Sequence, residues 1–216
     1  RKAELILEEY LLIMKPEDIG KAYNQITHLW QSDDFNRENG IAQHKRALQF
    51  VKIQENKKAK ALDVGCGCTG RFIDLLLAEG FQPEGVDISS EMLRLAKERH
   101  PEVVFHQQDI CQWDIVEKYD FISAWDSIWH IPLDQQVPVL TKLIESLNSK
   151  GVLIFSFGGT DEEGFHNDDF MGPEVHYSTL GINGFLQLFL SLDCTCRHLE
   201  FDQYPELHTY FIIQKN

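Results

Sequence analysis

Residues 61–72 read ALDVGCGCTGRF, and this short segment carries most of what the sequence says about the architecture. Apolar residues up to Val64 are followed by glycines at positions 65, 67 and 70, and an amphipathic pattern then begins at Phe72. Glycines between a strand and a helix let the backbone approach a ligand and point its N–H groups at an anionic part of that ligand. The segment therefore predicts a strand, a ligand-binding loop and a helix, in that order.

Short apolar runs continue beyond this loop and alternate with amphipathic segments. The candidate strands lie at residues 59–64, 83–88, 103–107, 121–125, 152–157, 194–201 and 208–214. Between the first five, apolar residues recur three and four positions apart, which is typical of helices packed on a sheet. Gly80 and Gly151 are expected at helix ends, and Asp134 is expected to cap a helix. The alternation predicts an α/β fold with a doubly wound, mostly parallel sheet, and a turn at residues 204–206 predicts a C-terminal antiparallel hairpin.

The distribution of these patterns predicts the domain organisation. Residues 1–55 contain no strand-like run and are expected to form a helical cap, divided at Pro16 into an apolar first helix and a second around residues 19–30. Residues 56–216 are expected to form the core, with a polar, lid-like insertion at about 158–183. A length of 216 residues fits one buried core, so we expect a single domain over residues 1–216.

Composition restricts the partners of the chain. With 20 basic and 34 acidic residues the net charge is -14, which repels a polyanion such as DNA or RNA at long range. No apolar run reaches the roughly 18 residues of a membrane span, and five cysteines, an odd number, fit a reducing compartment. We therefore expect a cytoplasmic protein with a small-molecule partner and neither a membrane nor a nucleic-acid partner, while the oligomeric state is not indicated. Because the chain begins at Arg1, its natural N-terminus is expected to be missing. The sequence therefore does not decide whether the protein carries a targeting signal.

Three carboxylates follow three successive candidate strands. Asp63 ends the first, Asp87 lies 22 residues beyond Gly65, and Asp109 lies just past the third. The glycine spacing also matches a dinucleotide loop, in which an acid about 20 residues further on binds a ribose, so a dinucleotide stays an alternative. Asp63 favours a cationic ligand group over a pyrophosphate, and Asp109 can accept a hydrogen bond from an adenine amine.

Over residues 59–216 the sequence resembles the class I S-adenosylmethionine-dependent methyltransferases. LDVGCG resembles their first motif, GVDIS the ribose-binding segment, QQDI the adenine-binding segment and YDFISAWDSIWHIP the segment of the fourth strand. The resemblance implies S-adenosylmethionine as the cofactor and a seven-stranded sheet whose last strand is antiparallel. The implied cofactor-binding residues are Asp63, Gly65, Cys66 and Gly67 for the methionine part, Asp87 for the ribose, Ile88, Met92, Asp109 and Ile110 for the adenine, and Trp125 after the fourth strand. The loop departs from the common G-x-G-x-G pattern by one extra residue before Gly70.

The acceptor side is predicted from the residues after the fourth strand. Methyl transfer from a sulfonium is an in-line displacement that depends mainly on positioning, and a base is needed only for a protonated acceptor. His130, together with Asp126, is the candidate for orienting or deprotonating the acceptor, since the pKa of histidine lies near neutrality. The alternative is a histidine that only packs against its neighbours. Tyr23, Trp30, Met171 and Tyr177 are the candidate substrate-pocket residues.

These observations favour an enzyme that methylates a small molecule. The alternatives are a protein or RNA methyltransferase acting with a partner, an NAD-dependent oxidoreductase, and a catalytically silent cofactor-binding subunit. The acids and histidines of residues 161–176 could ligate a divalent cation, but their spacing is irregular. We therefore expect a solvated lid there and no metal.

Overall fold

A computed structural model describes residues 15–52 and 58–216 of the chain. The described helices are α1 (Pro16–Gln31), α2 (Ile41–Leu48), α3 (Arg71–Ala78), α4 (Ser90–Arg99), α5 (Leu133–Glu145) and α6 (Gly181–Ser191). The strands are β1 (Lys60–Val64), β2 (Gln82–Asp87), β3 (Val104–Gln107), β4 (Tyr119–Ala124), β5 (Leu147–Gly158), β6 (Gly164–Asp168), β7 (Val175–Thr179), β8 (Cys194–Glu200) and β9 (His208–Lys215). The predicted second helix is α1, whereas the predicted first helix lies outside the described residues.

Seven of the strands form one sheet in the order β3-β2-β1-β4-β5-β9-β8. The first five pair in parallel, and β9 is antiparallel to both of its neighbours. The predicted α/β class, the doubly wound sheet and the antiparallel hairpin are therefore confirmed. Strands β6 and β7 form a separate two-stranded sheet within the segment that was expected to be a polar lid.

Two apolar layers cover the two faces of the sheet. Because side chains alternate along a strand, Leu62 and Val64 of β1 pack on one face with α5 and α6, while Ala61 packs on the other with α2 and α3. The aromatic side chains Phe155 and Phe211 are fully buried in the first layer. Each such side chain contributes about 1.5–3 kcal/mol of burial free energy, so the sheet is a rigid base for the loops at its carboxyl edge.

Two local predictions were wrong and one was right. Gly80 follows the end of α3 with a φ of 83°, as expected. Gly151 lies inside β5, and Lys150 is the residue with a positive φ, of 65°, because β5 starts directly after α5 and bulges. Asp134 makes no capping hydrogen bond, since Pro132 already precedes the helix and Asp134 lies within its first turn.

Helix α1 and the β6–β7 hairpin meet above the carboxyl edge of the sheet. Ile19 and Ala22 of α1 pack against Val175 of β7, and Gly20 lies against Ile88, just after β2. Across residues 15–52 and 58–216, every helix is too short or too polar to span a bilayer. The contact between α1 and the hairpin encloses the space in which the candidate site lies.

Candidate cofactor and acceptor site

A cavity of about 400 Å³ lies between the carboxyl edge of the sheet, α1 and the β6–β7 hairpin. Of the predicted site residues, only Asp63 lies outside its wall. Those in the wall are Tyr23, Trp30, Gly65, Cys66, Gly67, Asp87, Ile88, Met92, Asp109, Ile110, Trp125, Asp126, His130, Met171 and Tyr177. The structure thus brings together residues that are spread between positions 23 and 177 of the chain.

Backbone geometry explains the glycines of the loop after β1. Gly65 has a φ of 69°, and a Cβ placed on it would lie 2.2 Å from the Cβ of Ser127. Gly67 has a φ of 55° and faces open space, and its N–H donates to Asp87 Oδ2 at 2.9 Å. Gly70 precedes α3 and lies outside the cavity wall. The first two glycines therefore shape the binding surface, whereas the extra residue shifts the third away from it.

Asp87 is held by the backbone at the end of β2. Its Oδ2 accepts from Gly67 and its Oδ1 accepts from the N–H of Ser89 at 2.8 Å. Burial raises the pKa of this carboxyl, and the backbone hydrogen bonds oppose that shift. Each carboxylate oxygen has a further lone pair, so Asp87 can also accept from ligand hydroxyls.

Asp63 is buried beneath the loop, on the face of the sheet that packs against α2 and α3. Within the described part of the chain its Oδ2 atom has no hydrogen-bond partner. Burial raises the pKa of this carboxyl to about 7, against the opposing effects of Arg71 and Ser123. A buried carboxylate without a partner is unfavourable, so the position suits a nearby cationic ligand group.

Arg71 is a wall residue that was not predicted. Its Nε donates to the carbonyl of Asn39 at 3.0 Å, its Nη1 donates to Thr69 Oγ1 at 2.9 Å, and its guanidinium stacks 4.2 Å from the ring centre of Phe72. Burial lowers its pKa, but the group remains a cation. Arg71 is the first residue of the helix that follows the glycine loop, so its position in the sequence could have predicted its place in the cavity wall.

A family model described as a methyltransferase domain matches residues 61–151, from β1 into β5. Residues 61–151 form a methyltransferase domain. Solved methyltransferases that share this fold contain bound S-adenosylmethionine or S-adenosylhomocysteine. The cofactor of the methyltransferase domain is S-adenosylmethionine.

Two curated relatives extend the match beyond this segment. The methyltransferase domain is 25% identical over 145 residues to an uncharacterized methyltransferase of Alkaliphilus oremlandii, covering 64% of this chain and 67% of that protein. It is 26% identical over 141 residues to the phosphoethanolamine N-methyltransferase of Plasmodium falciparum, covering 63% and 52%. The chain therefore spans only about one half to two thirds of the length of these relatives.

A solved structure shares the fold of nearly the whole chain. It is the 1,6-didemethyltoxoflavin-N1-methyltransferase of Burkholderia thailandensis with bound 1,6-didemethyltoxoflavin and S-adenosylhomocysteine. The TM-score is 0.70 at 18% identity, with 97% of this chain and 90% of that chain covered. At this identity the likeness establishes the fold of the methyltransferase, and its acceptor must be argued from the site.

The methyltransferase wall fits the charges of S-adenosylmethionine. In the wall, Arg71 suits the carboxylate of the methionine part. The Asp63 carboxyl lies behind the wall, and its negative charge favours the cationic end of the methionine part from there. Asp87 and Asp109 provide acceptors at the ends of β2 and β3, where Asp109 Oδ1 is fixed by the N–H of Cys111 at 2.8 Å. Within the described ranges, no three side chains of the metal-ligating types lie close enough together to hold an ion.

His130 lies in the cavity wall and is engaged at both ring nitrogens. Its Nδ1 donates to the carbonyl of His176 at 2.7 Å, so its Nε2 accepts from the hydroxyl of Tyr23 at 2.6 Å and from Trp129 Nε1 at 2.9 Å. Burial lowers its pKa to about 4, which keeps the ring neutral at physiological pH. Sequence analysis assigned Tyr23 and His130 to the same pocket. Their hydrogen bond joins residues 107 positions apart, so no local sequence pattern predicted it.

Proposed function

We propose that the chain transfers the methyl group of S-adenosylmethionine to a small molecule bound between the glycine loop and α1. The observation that carries this proposal is the single cavity that joins the glycine-loop residues to Tyr23, Asp126 and His130. A small acceptor suits an enclosed space of about 400 Å³ covered by α1 and the β6–β7 hairpin. The net charge of -14 argues against a nucleic-acid acceptor.

Named roles follow for the cofactor-binding residues. Gly65, Cys66, Gly67 and Arg71 bind the methionine part, and Arg71 pairs with its carboxylate. Asp63 contributes to cofactor binding from behind the wall, where its negative charge favours the ammonium group. The ribose is bound by Asp87, and the adenine lies against Ile88, Met92, Asp109 and Ile110. Trp125 closes the inner end of the site. The cofactor supplies a sulfonium-bound methyl group, and the protein supplies position and exclusion of water.

On the acceptor side, His130 acts through Tyr23 instead of serving as a free base. The Tyr23 hydroxyl donates its proton to the neutral imidazole, so its oxygen is left to accept a proton from a group bound in the cavity. Met171, Trp30 and Tyr177 complete the pocket around that oxygen. All five cysteines are free thiols, which fits the proposed location in the reducing cytoplasm.

Binding and transfer assays test the proposed function. S-adenosylhomocysteine is expected to raise the unfolding temperature, whereas NADH is expected to leave it unchanged, because a ligand that binds only the native state stabilises it. The chain is then expected to move a labelled methyl group into the small-molecule fraction of a cell extract. Label in the protein or RNA fraction instead would favour an enzyme that acts on a macromolecule, and stabilisation without any transfer would indicate a silent subunit.

Substitution of Tyr23 by phenylalanine tests the acceptor side. Removing the hydroxyl from the pair with His130 is expected to lower kcat by about 100-fold, within the range of general acid–base effects. Affinity for S-adenosylhomocysteine should change by less than about twofold, because the proposed cofactor contacts lie elsewhere. Tyr204→Phe, at an exposed turn position, is the matched control and should behave like the wild type.

The pH profile gives a second check on this arrangement. Since the pKa of His130 is lowered to about 4, kcat should show no acidic limb near pH 6.5 from this residue. A Tyr23→Phe enzyme with full turnover would show that the hydroxyl is dispensable. An acidic limb near pH 6.5 that disappears in His130→Gln would show that the histidine itself titrates during catalysis.

A further inference from the structure

Asp126, just after β4, presents one carboxylate oxygen to the cavity and is held through the other. Its Oδ1 accepts from Ser156 Oγ at 3.0 Å and from His208 Nε2 at 2.9 Å. Among residues 15–52 and 58–216, its Oδ2 makes one long contact, of 3.5 Å, with Asn39 Nδ2. The residue has a φ of 51°, and its N–H donates to Ser156 Oγ at 2.7 Å. These contacts fix the backbone and one oxygen of a cavity-lining carboxylate.

His208, the first residue of β9, lies behind Asp126 and outside the cavity wall. Its second nitrogen, Nδ1, lies 2.5 Å from Asp202 Oδ1. Since each nitrogen faces a carboxylate oxygen, both must carry a proton, and the ring is an imidazolium. Asp202 has a nearly inaccessible side chain, 3% exposed, and its other oxygen accepts from Gln43 Nε2 at 2.8 Å. Asp202, His208 and Asp126 therefore form a continuous hydrogen-bonded row that ends at the cavity.

The charge of this row favours a cationic ligand group. An imidazolium paired with Asp126 alone would be neutral, but the second carboxylate of Asp202 leaves two negative charges against one positive charge. The neighbouring wall is aromatic, with the rings of Trp129 and Tyr177 6.0 Å apart. An aromatic wall beside a carboxylate is a favourable environment for an ammonium group. Arg71 also acts on Asp126, but its positive charge is opposed by both Asp126 and Asp63, and its hydrogen bonds go to neutral oxygens of Asn39 and Thr69.

We propose that Asp126 binds an amine of the methyl acceptor, and that His208 and Asp202 are positioning residues which hold its carboxylate toward the cavity. This inference rests on the proposed methyl transfer to a small molecule and specifies the acceptor as an amine. Asp126 would contact that amine, while His208 and Asp202 act only through Asp126.

The protonation of His208 gives a readout that does not depend on activity. Burial alone would lower the pKa of His208, but hydrogen bonds and charges from Asp126 and Asp202 together raise it to about 9. The ring otherwise packs against Trp125 and Trp129, with centroids at 5.3 and 5.7 Å. NMR of the imidazole nitrogens should therefore show both protonated at pH 8, and Asp202→Asn should lower the titration midpoint. A midpoint near 6.5 in the wild-type protein would overturn the positioning role.

The acceptor test uses the intact chain with methyl-labelled S-adenosylmethionine and the small-molecule fraction of a cell extract. Mass spectrometry of the labelled product is expected to place the methyl group on nitrogen. For that amine, Asp202→Asn and His208→Gln should each raise KM by about tenfold, the effect of weakening one charge-assisted hydrogen bond. Their kcat should stay within about threefold and their affinity for S-adenosylhomocysteine within about twofold, since neither residue lines the cavity.

A matched histidine on the same hairpin serves as control. His198 of β8 pairs with Glu200 at 2.8 Å, outside the cavity wall, so His198→Gln should leave KM unchanged. A methyl group on oxygen, sulfur or carbon would overturn the inference, and so would an unchanged KM in both Asp202→Asn and His208→Gln. Absence of transfer to any small molecule would instead refute the proposed function. The experiment thereby distinguishes failure of the amine assignment from failure of the proposed methyl transfer. S-adenosylhomocysteine binding reports whether each variant is folded.

Discussion

Replacing Gly65 with alanine is expected to destabilise the protein and to weaken cofactor binding more than any other single methyl addition in the loop. The new Cβ would lie 2.2 Å from Ser127 Cβ, and Ser127 Oγ donates to the carbonyl of Val64 at 2.8 Å. Alanine must also adopt a φ of 69°. Left-handed strain of about 1–2 kcal/mol and overpacking of about 1–3 kcal/mol together predict a loss of roughly 2–5 kcal/mol. Urea denaturation and calorimetric titration with S-adenosylhomocysteine measure the two effects.

The Gly80→Ala variant measures the effect of backbone strain without a steric clash between side chains. Gly80 has a φ of 83°, a Cβ added to it would meet open space, and it lies outside the cavity wall. Its substitution should therefore show only the strain of about 1–2 kcal/mol and normal cofactor affinity. Equal losses of stability in Gly65→Ala and Gly80→Ala, with cofactor binding intact in both, would contradict the role given to the contact with Ser127.

Replacing Asp63 with asparagine is expected to stabilise the cofactor-free protein at pH 8 while weakening cofactor binding. The pKa of this carboxyl rises from 3.8 in the unfolded chain to about 7 in the folded one. The native state therefore holds a proton that the unfolded state has released, and stability falls as the pH rises from about 4 to 7. The accumulated penalty is on the order of 4 kcal/mol, and a neutral side chain avoids part of it. The gain should be about 1–3 kcal/mol at pH 8 and much smaller at pH 5.

Cofactor binding by the same variant should change in the opposite direction. Losing the buried negative charge behind the proposed methionine site is expected to weaken S-adenosylhomocysteine binding by about 10- to 100-fold. In the wild type, binding at pH 6 should release a proton, which calorimetry in buffers of different ionisation enthalpy detects. Asp120→Asn is the control, since both oxygens of Asp120 are hydrogen-bonded at the opposite end of β4. A less stable Asp63→Asn protein at pH 8, or one with normal affinity, would contradict the assignment.

The sheet could be predicted because its central strands β1, β4, β5 and β9 are buried along most of their length and are rich in apolar residues. All seven candidate runs became strands of the large sheet. The hairpin of β6 and β7 could not be predicted in this way, because β6 is mostly exposed and its polar sequence resembles that of a solvated loop. Lys150 shows a similar limit, since the bulge within β5 depends on pairing with β4 and not on a local glycine.

The cofactor half of the site was more accessible to sequence reasoning than the acceptor half. The glycines and acids that line it follow strands directly, so their order along the chain predicts their place at one edge of the sheet. Tyr23 meets His130 across 107 positions, and Asp126 meets His208 across 82. Such contacts depend on how α1 and β9 pack, and no spacing rule connects them. Arg71, by contrast, adjoins the loop and could have been included.

The position of β9 in the sheet has a consequence for biosynthesis. This strand lies between β5 and β8, although both are translated before it. Until residues 208–215 emerge from the ribosome, β5 keeps an apolar edge without a partner, and β8 has no neighbour on that side. Unpaired edges of this kind invite association between nascent chains. The chain is therefore expected to need protection by a chaperone until β9 has been synthesised and the sheet can close.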